Sequence, residues 1–343
     1  MKIAIVNDVL LITEALRRTI ANTLEHEVIW TAQSGEQAIQ FCAANRPDLI
    51  LMDLIMPGMD GVEAIRQIMQ QSPCAILVVT ASPDDNTGMV FRALGAGALD
   101  VAATPVLAGR AGSDAALLAK VKTIGRLIAA DASGSVHAAK LAFDASVPAS
   151  TQEAETLVAI GASTGGPVAL AAILRAWKPP SNTAAVIVQH IDQAFTDSFS
   201  HWLASQIDFP IDVIEDGSQL QPGRILVAKT NDHLVLSGTH RLGYSAKPAH
   251  YPYRPSIDVF FRCIAQHWHK NAIGILMTGM GRDGASGLLA MRKAGKLTIA
   301  QDQHSSAVYG MPRAAAEMDA AELVLPLDRI APALQARTRK KSG

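Results

Sequence analysis

At 343 residues the chain is long for a single hydrophobic core, so two domains are expected. Hydrophobic residues make up 49% of it and aromatics only 5%, so the interior has to be built from Ala, Val, Ile and Leu, which suits helices packed on parallel strands. A formal net charge of −1 with dispersed Lys and Arg gives no field to hold a polyanion, which excludes nucleic acid as an expected partner.

The opening MKIAIVND runs as a strand pattern to an acidic end, without the apolar stretch of a signal peptide. Over roughly the first 108 residues the apolar runs KIAIVN, VIWTA, LILMD, AILVVT and ALDVAAT alternate with amphipathic stretches such as EALRRTIANTL and GVEAIRQIMQQ. That alternation predicts five parallel strands in a doubly wound α/β unit, closed by a helix over SDAALLAKVKTIGRLIAA. Ligands of such sheets gather beyond the carboxyl ends of the strands. Asp8 ends the first strand, Asp53 the third and Thr80 the fourth. In a flavodoxin-like strand order the two carboxylates converge, and carboxylates beside a hydroxyl suit Mg²⁺. Strand-end Asp residues also cap turns and helices, so either one alone is uninformative.

After this unit DASGSVHAAKLAFDASVPASTQEAE loses periodicity and gains Ser, Ala and Asp, as a linker does. The expected division is a first domain over 1–130, a linker over 131–153 and a second domain over 154–340. The second domain has strand runs at TLVAIGA, AAVIVQH, RILVAK, HLVLSG, AIGILMTG and KLTIAQD, with QPGRILVAKTNDHLVLSG expected as a hairpin. No stretch reaches the length of a membrane span. Cys42, Cys74 and Cys263 are widely spaced, without a CxxC pair, and read as buried reduced thiols; together these features point to the cytoplasm.

The turn GASTGGPV follows the first strand of the second domain and opens a helix. It lacks the Lys-Ser/Thr of a phosphate-binding loop and the glycine spacing of a dinucleotide fingerprint. It fits G-x-S-x-G, Gly161 to Gly165, which would present Ser163 as a nucleophile with helix-start amides available to an oxyanion; a serine capping a helix is the common alternative. A nucleophilic serine needs a base and an orienting carboxylate. His190 closes AAVIVQH and Asp283 sits in MTGMGRDG, so three suitable side chains leave one sheet on one edge. His304, in QDQHSSAVYG, is the competing base. The order Ser, His, Asp differs from the Ser, acid, His of α/β-hydrolases, which disfavours an ordinary lipase or esterase fold.

The residues Asp8, Asp53, Thr80 and PGMDG resemble the receiver domain of two-component response regulators. The segments IGASTGGP, VIVQH, YRPSID, LMTGMGRDG and QDQHSSAVYGMPRAA resemble the catalytic domain of chemotaxis-type protein-glutamate methylesterases, the CheB family. The resemblance covers nearly the whole chain and implies a flavodoxin-like receiver, a linker and a doubly wound parallel-sheet methylesterase domain. Within the family, IVNDVLLITEALRR and ALDVAATPVLAG look most like the WspF branch, which serves surface sensing.

The family pattern implies a catalytic triad of Ser163, His190 and Asp283, with oxyanion donors at the amides of Thr164 and Met280. In the receiver it implies phosphorylation of Asp53 by a histidine kinase, Mg²⁺ held by Asp8 and Asp53, and Thr80 as the switch residue. Two departures are Asn7, where receivers carry a second acidic residue, and Thr104, where they carry a Lys before Pro105. The expected substrate is a methyl-accepting chemoreceptor, through which alone the protein meets a membrane. The reaction is hydrolysis of glutamate γ-methyl esters, with deamidation of glutamines as a second activity and no cofactor in the catalytic domain. The alternatives are a non-enzymatic binder of receptor or kinase and a small-molecule serine esterase. Tyr253 to Asp258, YRPSID, is a signature without a chemical role.

Overall fold

The run LILM carries no polar side chain and AILVVT only a terminal threonine, so both demand cover on two faces; each lies wholly buried inside the first sheet. The computed structural model describes residues 1–23, 25–80, 87–105, 113–130, 154–191, 193–229, 232–249, 251 and 253–338. Its chain divides into two units, Met1–Ser135 and Val136–Gly343. The expected linker, 131–153, lies outside the described residues.

The first unit runs β1 (Lys2–Val6), α1 (Leu10–Ala21), β2 (Glu27–Ala32), α2 (Gly35–Ala44), β3 (Leu49–Met52), α3 (Gly61–Gln71), β4 (Ala75–Thr80), α4 (Thr87–Ala96), β5 (Asp100–Ala103) and α5 (Ser113–Ala130). Its strands are parallel in the order β2-β1-β3-β4-β5, the flavodoxin-like order expected from the sequence. The partly exposed β2 falls at an edge. Ser34 and Asp60 cap α2 and α3 by accepting the N–H groups of Gln37 and Glu63. Cys42 and Cys74, distant in sequence, meet here with their sulfurs 3.9 Å apart as free thiols.

The second unit runs β6 (Thr156–Ala162), α6 (Gly166–Ala176), β7 (Thr183–Gln189), a 3₁₀ turn at Gln193–Phe195, α7 (Thr196–Ile207), β8 (Ile211–Val213), β9 (Ile225–Val227), β10 (His233–Leu236), β11 (Leu242–Ser245), α8 (Ile257–His267), β12 (Asn271–Leu276), α9 (Ala285–Lys293), β13 (Leu297–Gln301), α10 (Met311–Glu317), β14 (Leu323–Leu325) and α11 (Leu327–Thr338). Seven parallel strands stand in the order β14-β13-β12-β6-β7-β9-β8. The chain leaves β6 toward β7 and later returns to β12 on its other side, so the order reverses at β6 and a crevice opens beyond its carboxyl end.

Leu157, Ala159, Ala184, Val186 and Val188 share one buried cluster with Phe260, Phe261 and Ile264 of α8 and with Leu288 and Met291 of α9. The intervening strand residues Val158, Ile160 and Ile187 are equally buried. Burying each such phenylalanine contributes about 1.5–3 kcal/mol, so α8 is firmly seated, and its first turn is what the site uses. The expected hairpin is corrected: Ile225–Val227 joins the parallel sheet beside β7, while His233–Leu236 pairs antiparallel with Leu242–Ser245. Ile225–Val227 is fully buried and needs cover on both faces, which an isolated hairpin lacks. Among the described residues no helix is long and apolar enough to cross a membrane.

Candidate active site

Ser163 follows the last residue of β6 and His190 the last of β7. The register pairs Ala162 with Gln189, so the next residues leave neighbouring strands side by side, about 4.8 Å apart by strand spacing. The backbone there is pinned from both sides. Ser163 N–H donates to Thr278 O at 3.0 Å, beyond the end of β12, and His190 N–H donates to Ala162 O at 2.9 Å. The Gln189 amide nitrogen donates to Ser163 O at 2.8 Å and to His190 O at 3.1 Å. Thr278 Oγ1 donates to Thr164 O at 2.8 Å and accepts Val308 N–H at 3.0 Å.

Two glycines make the turn possible. Gly165 takes φ +75, a left-handed conformation that ordinary side chains avoid. At Gly279 a Cβ would stand 2.7 Å from Ser163 Cβ, so only glycine lets that backbone approach the serine. The N–H groups of Thr164 and Met280 donate to no acceptor among the described residues. They are therefore unspent donors, one following the serine and one following Gly279, whose backbone approaches it.

Asp283 lies on the loop between β12 and α9, 93 positions from His190, and its Oδ2 is 2.8 Å from His190 Nε2. The same carboxylate accepts Ser256 Oγ–H at 2.7 Å, Ile257 N–H at 2.7 Å and Asp258 N–H at 3.2 Å. Ser256 caps α8 and the two amides belong to its first turn, so the positive end of the helix faces the anion. Burial opposes ionisation of Asp283, but the His190 contact, the Ser256 hydroxyl and the Ile257 amide outweigh it and hold the carboxyl below its ordinary value.

An ionised Asp283 requires the proton on Nε2, which leaves the lone pair on Nδ1. That atom is buried and has no hydrogen-bond partner among the described residues. The imidazole is thus turned end for end relative to the usual serine-protease triad, in which Nδ1 meets the acid and Nε2 the serine. Tyr253 stacks on it, ring centroids 4.1 Å apart and planes at 8°. Such a site can take a proton from a hydroxyl at one ring edge while stabilising the resulting charge at the other. His304, the competing base, is exposed and makes no hydrogen bond to either partner.

Sequence reasoning missed Gln189, Thr278 and the donors of Ser256 to Asp258. The motif YRPSID was visible, and a Ser three residues before Val259 is a capping signal, but neither reveals which carboxylate the helix would receive. Arg254 of that motif faces away from the acid, donating to Ala249 O at 3.3 Å and lying 3.9 Å from Asp232.

Asp258 is a second buried acid beside the first. Its Oδ1 accepts Gly287 N–H at 2.6 Å, and burial together with the charge of Asp283 pushes its carboxyl up to about 7. From the usual 3.8 to about 7 the folded chain keeps a proton that the unfolded chain has released, so stability falls as pH rises through that window. Asp258→Asn keeps the acceptor for Gly287 and carries no charge. It is expected to remove this part of the fall in Tm between about pH 4 and pH 7; a Tm profile parallel to wild type would exclude Asp258 as its source.

In the first unit Asp53 follows β3 and its N–H donates to Val6 O at 2.9 Å, which sets it beside the end of β1. Its Oδ1 accepts Leu54 N–H at 2.7 Å and its Oδ2 accepts the Asn7 amide at 2.9 Å. Asn7 is itself fixed, its Oδ1 accepting Val9 N–H at 2.8 Å. Burial raises the Asp53 carboxyl above the usual range against the amides of Ile55 and Leu54, and the charge of Asp8 adds to the rise. Two mutually repelling carboxylates are a donor set that fits a hard divalent cation, although Asn7 contributes an amide where a third carboxylate would serve better. Thr80 is buried at the end of β4, and Thr104, whose N–H donates to Thr80 O at 3.0 Å, offers no ammonium.

Residues 158–334 match the family model described as CheB methylesterase, and residues 3–108 match the response regulator receiver domain. The chain is 53% identical over 340 residues to protein-glutamate methylesterase/protein-glutamine glutaminase 3 of Burkholderia orbicola (strain AU 1054), covering 98% of each. It is 50% identical over 336 residues to protein-glutamate methylesterase/protein-glutamine glutaminase 1 of Pseudomonas fluorescens (strain Pf0-1), covering 97% of this chain and 98% of that protein. Among solved structures it is similar to the Thermotoga maritima CheB methylesterase catalytic domain, at 31% identity and TM-score 0.48, covering 53% of this chain and 97% of that one.

Proposed function

Because the chain belongs to the CheB methylesterase family and carries a receiver domain ahead of the catalytic one, we propose that it hydrolyses glutamate γ-methyl esters on the cytoplasmic domain of a methyl-accepting chemoreceptor, under control of receiver phosphorylation. The observation that carries this reading is the unpartnered, buried Nδ1 of His190, on a ring whose opposite nitrogen is held by Asp283 at 2.8 Å and which emerges beside Ser163. Ser163 Oγ attacks the ester carbon and passes its proton to Nδ1. Asp283 stabilises the imidazolium, and the amides of Thr164 and Met280 receive the oxyanion. Nδ1–H then protonates the departing methoxide, giving methanol and a glutamyl ester of Ser163. Water, activated by the same nitrogen, cleaves that ester and restores the serine. On a glutamine the same attack expels ammonia.

The receiver would accept a phosphoryl group on Asp53 from a histidine kinase, with Asp8 and Asp53 holding Mg²⁺ and Thr80 sensing the phosphoryl oxygens. Bound there, Mg²⁺ supplies positive charge that offsets the phosphoryl group. Asn7 occupies one Asp53 oxygen and Thr104 adds no charge, so the response to phosphorylation is expected to be modest.

Methanol release by the full chain from methylated receptor and from a soluble methyl ester, each with and without an acyl phosphate and Mg²⁺, tests the reading. Release from receptor, raised a fewfold by the acyl phosphate, is expected. Release from the soluble ester alone would make the chain a small-molecule esterase, and no release from either would make it a binder.

A further inference from the structure

Tyr253 to Asp258 leads into α8, and none of its residues has a part in the bond-making steps. Yet it meets both members of the acid–base pair. Ser256, Ile257 and Asp258 supply three donors to Asp283, and the Tyr253 ring covers a face of His190. The segment is anchored from behind. Ser256 N–H donates at 3.2 Å to Nδ1 of His233, a fully buried residue whose Nε2 lies 3.0 Å from Pro248 O. Ile257 fills the space that a Cβ at Gly161 or Gly284 would take, locking the segment against β6 and the start of α9.

The Asp283 contact fixes the imidazole at one atom only. Rotation of the ring about its Cβ–Cγ bond would keep a tolerable contact at Nε2 while changing where Nδ1 points. A flat ring lying parallel at 4.1 Å opposes that tilt, because one imidazole edge would then enter the phenol face. The same face carries negative charge density toward the imidazolium that forms during attack. Resting on the reading of Ser163 as nucleophile, we propose that Tyr253 is a positioning residue whose aromatic face fixes the plane of the His190 ring, and with it the direction in which Nδ1 points.

The test uses the full-length chain with Tyr253→Phe, Tyr253→Leu and Tyr253→Met, the last keeping an apolar side chain should Leu fail to fold. Two readouts are taken: kcat and KM for methanol release from methylated receptor, and the rate at which a fluorophosphonate labels Ser163, which needs no receptor. Phe is expected to stay within about twofold of wild type, while Leu and Met lose roughly 10- to 100-fold in kcat and in labelling rate with KM unchanged, the scale of a nucleophile–base pair displaced by about 1 Å. Wild-type labelling in Leu or Met would overturn the proposal. So would a raised KM at constant kcat, which marks a substrate contact, or a Phe variant as slow as Leu, which marks the hydroxyl. A wild-type chain that labels at Ser163 but releases no methanol would overturn the substrate assignment and leave Tyr253 testable by labelling; one that does not label would overturn both.

Discussion

Ser163→Ala is expected to abolish methanol release, lowering kcat by about 10⁶-fold, while leaving the thermal transition nearly where it was. The two halves of that expectation have separate causes. The turn around Ser163 is held by main-chain bonds to Thr278 and Ala162 and by the Gln189 amide, and Ala preserves all of these. The serine hydroxyl has no hydrogen-bond partner among the described residues, so its loss costs the fold less than about 1 kcal/mol. Catalytically nothing nearby can replace it: Thr164 is adjacent, but its carbonyl is tied to Thr278 and its side chain belongs to the next position of the turn. Methanol assay and thermal melt on one preparation check both halves. Turnover within tenfold of wild type would end the covalent mechanism.

The second large effect is expected at Asp283, where Asn should lower kcat by about 10⁴-fold, the scale seen when a triad histidine is left in the wrong tautomer. An asparagine has a single acceptor oxygen. Four donors converge on this carboxylate, from Ser256, Ile257, Asp258 and His190, so the amide nitrogen must face at least one of them. A donor left without an acceptor costs about 1–3 kcal/mol, so Asp283→Asn should also melt lower than wild type. Ser163→Ala should not. If Asp283→Asn melts as wild type yet keeps more than a tenth of its kcat, the carboxylate neither anchors α8 nor orients the base.

The parallel strands were legible because burial on both faces leaves a plain mark: TLVAIGA and AAVIVQ could only be interior strands, and they are β6 and β7. Ser163 and His190 followed, since each sits where such a strand must stop and a site can open. The run RILVAK carried the same mark, but its nearness to HLVLSG suggested a local pairing. The buried edge of β7 was the stronger partner for Ile225–Val227, and His233–Leu236 paired onward with Leu242–Ser245.

What the linear order of residues determined by itself is therefore the inventory: two α/β units, the strand ends, a hydroxyl and an imidazole at two of them, and a carboxylate in the loop after a third. Each depends on hydropathy and spacing, which are local properties of the chain. Only the tertiary structure decided that Asp283 meets Nε2 and leaves Nδ1 unbonded among the described residues, that the first turn of α8 holds the acid, and that Tyr253 lies flat on His190. Those choices depend on how β12 and α8 return beside β6, and contacts between segments so far apart are set by packing of the whole domain, to which no short stretch of sequence has access.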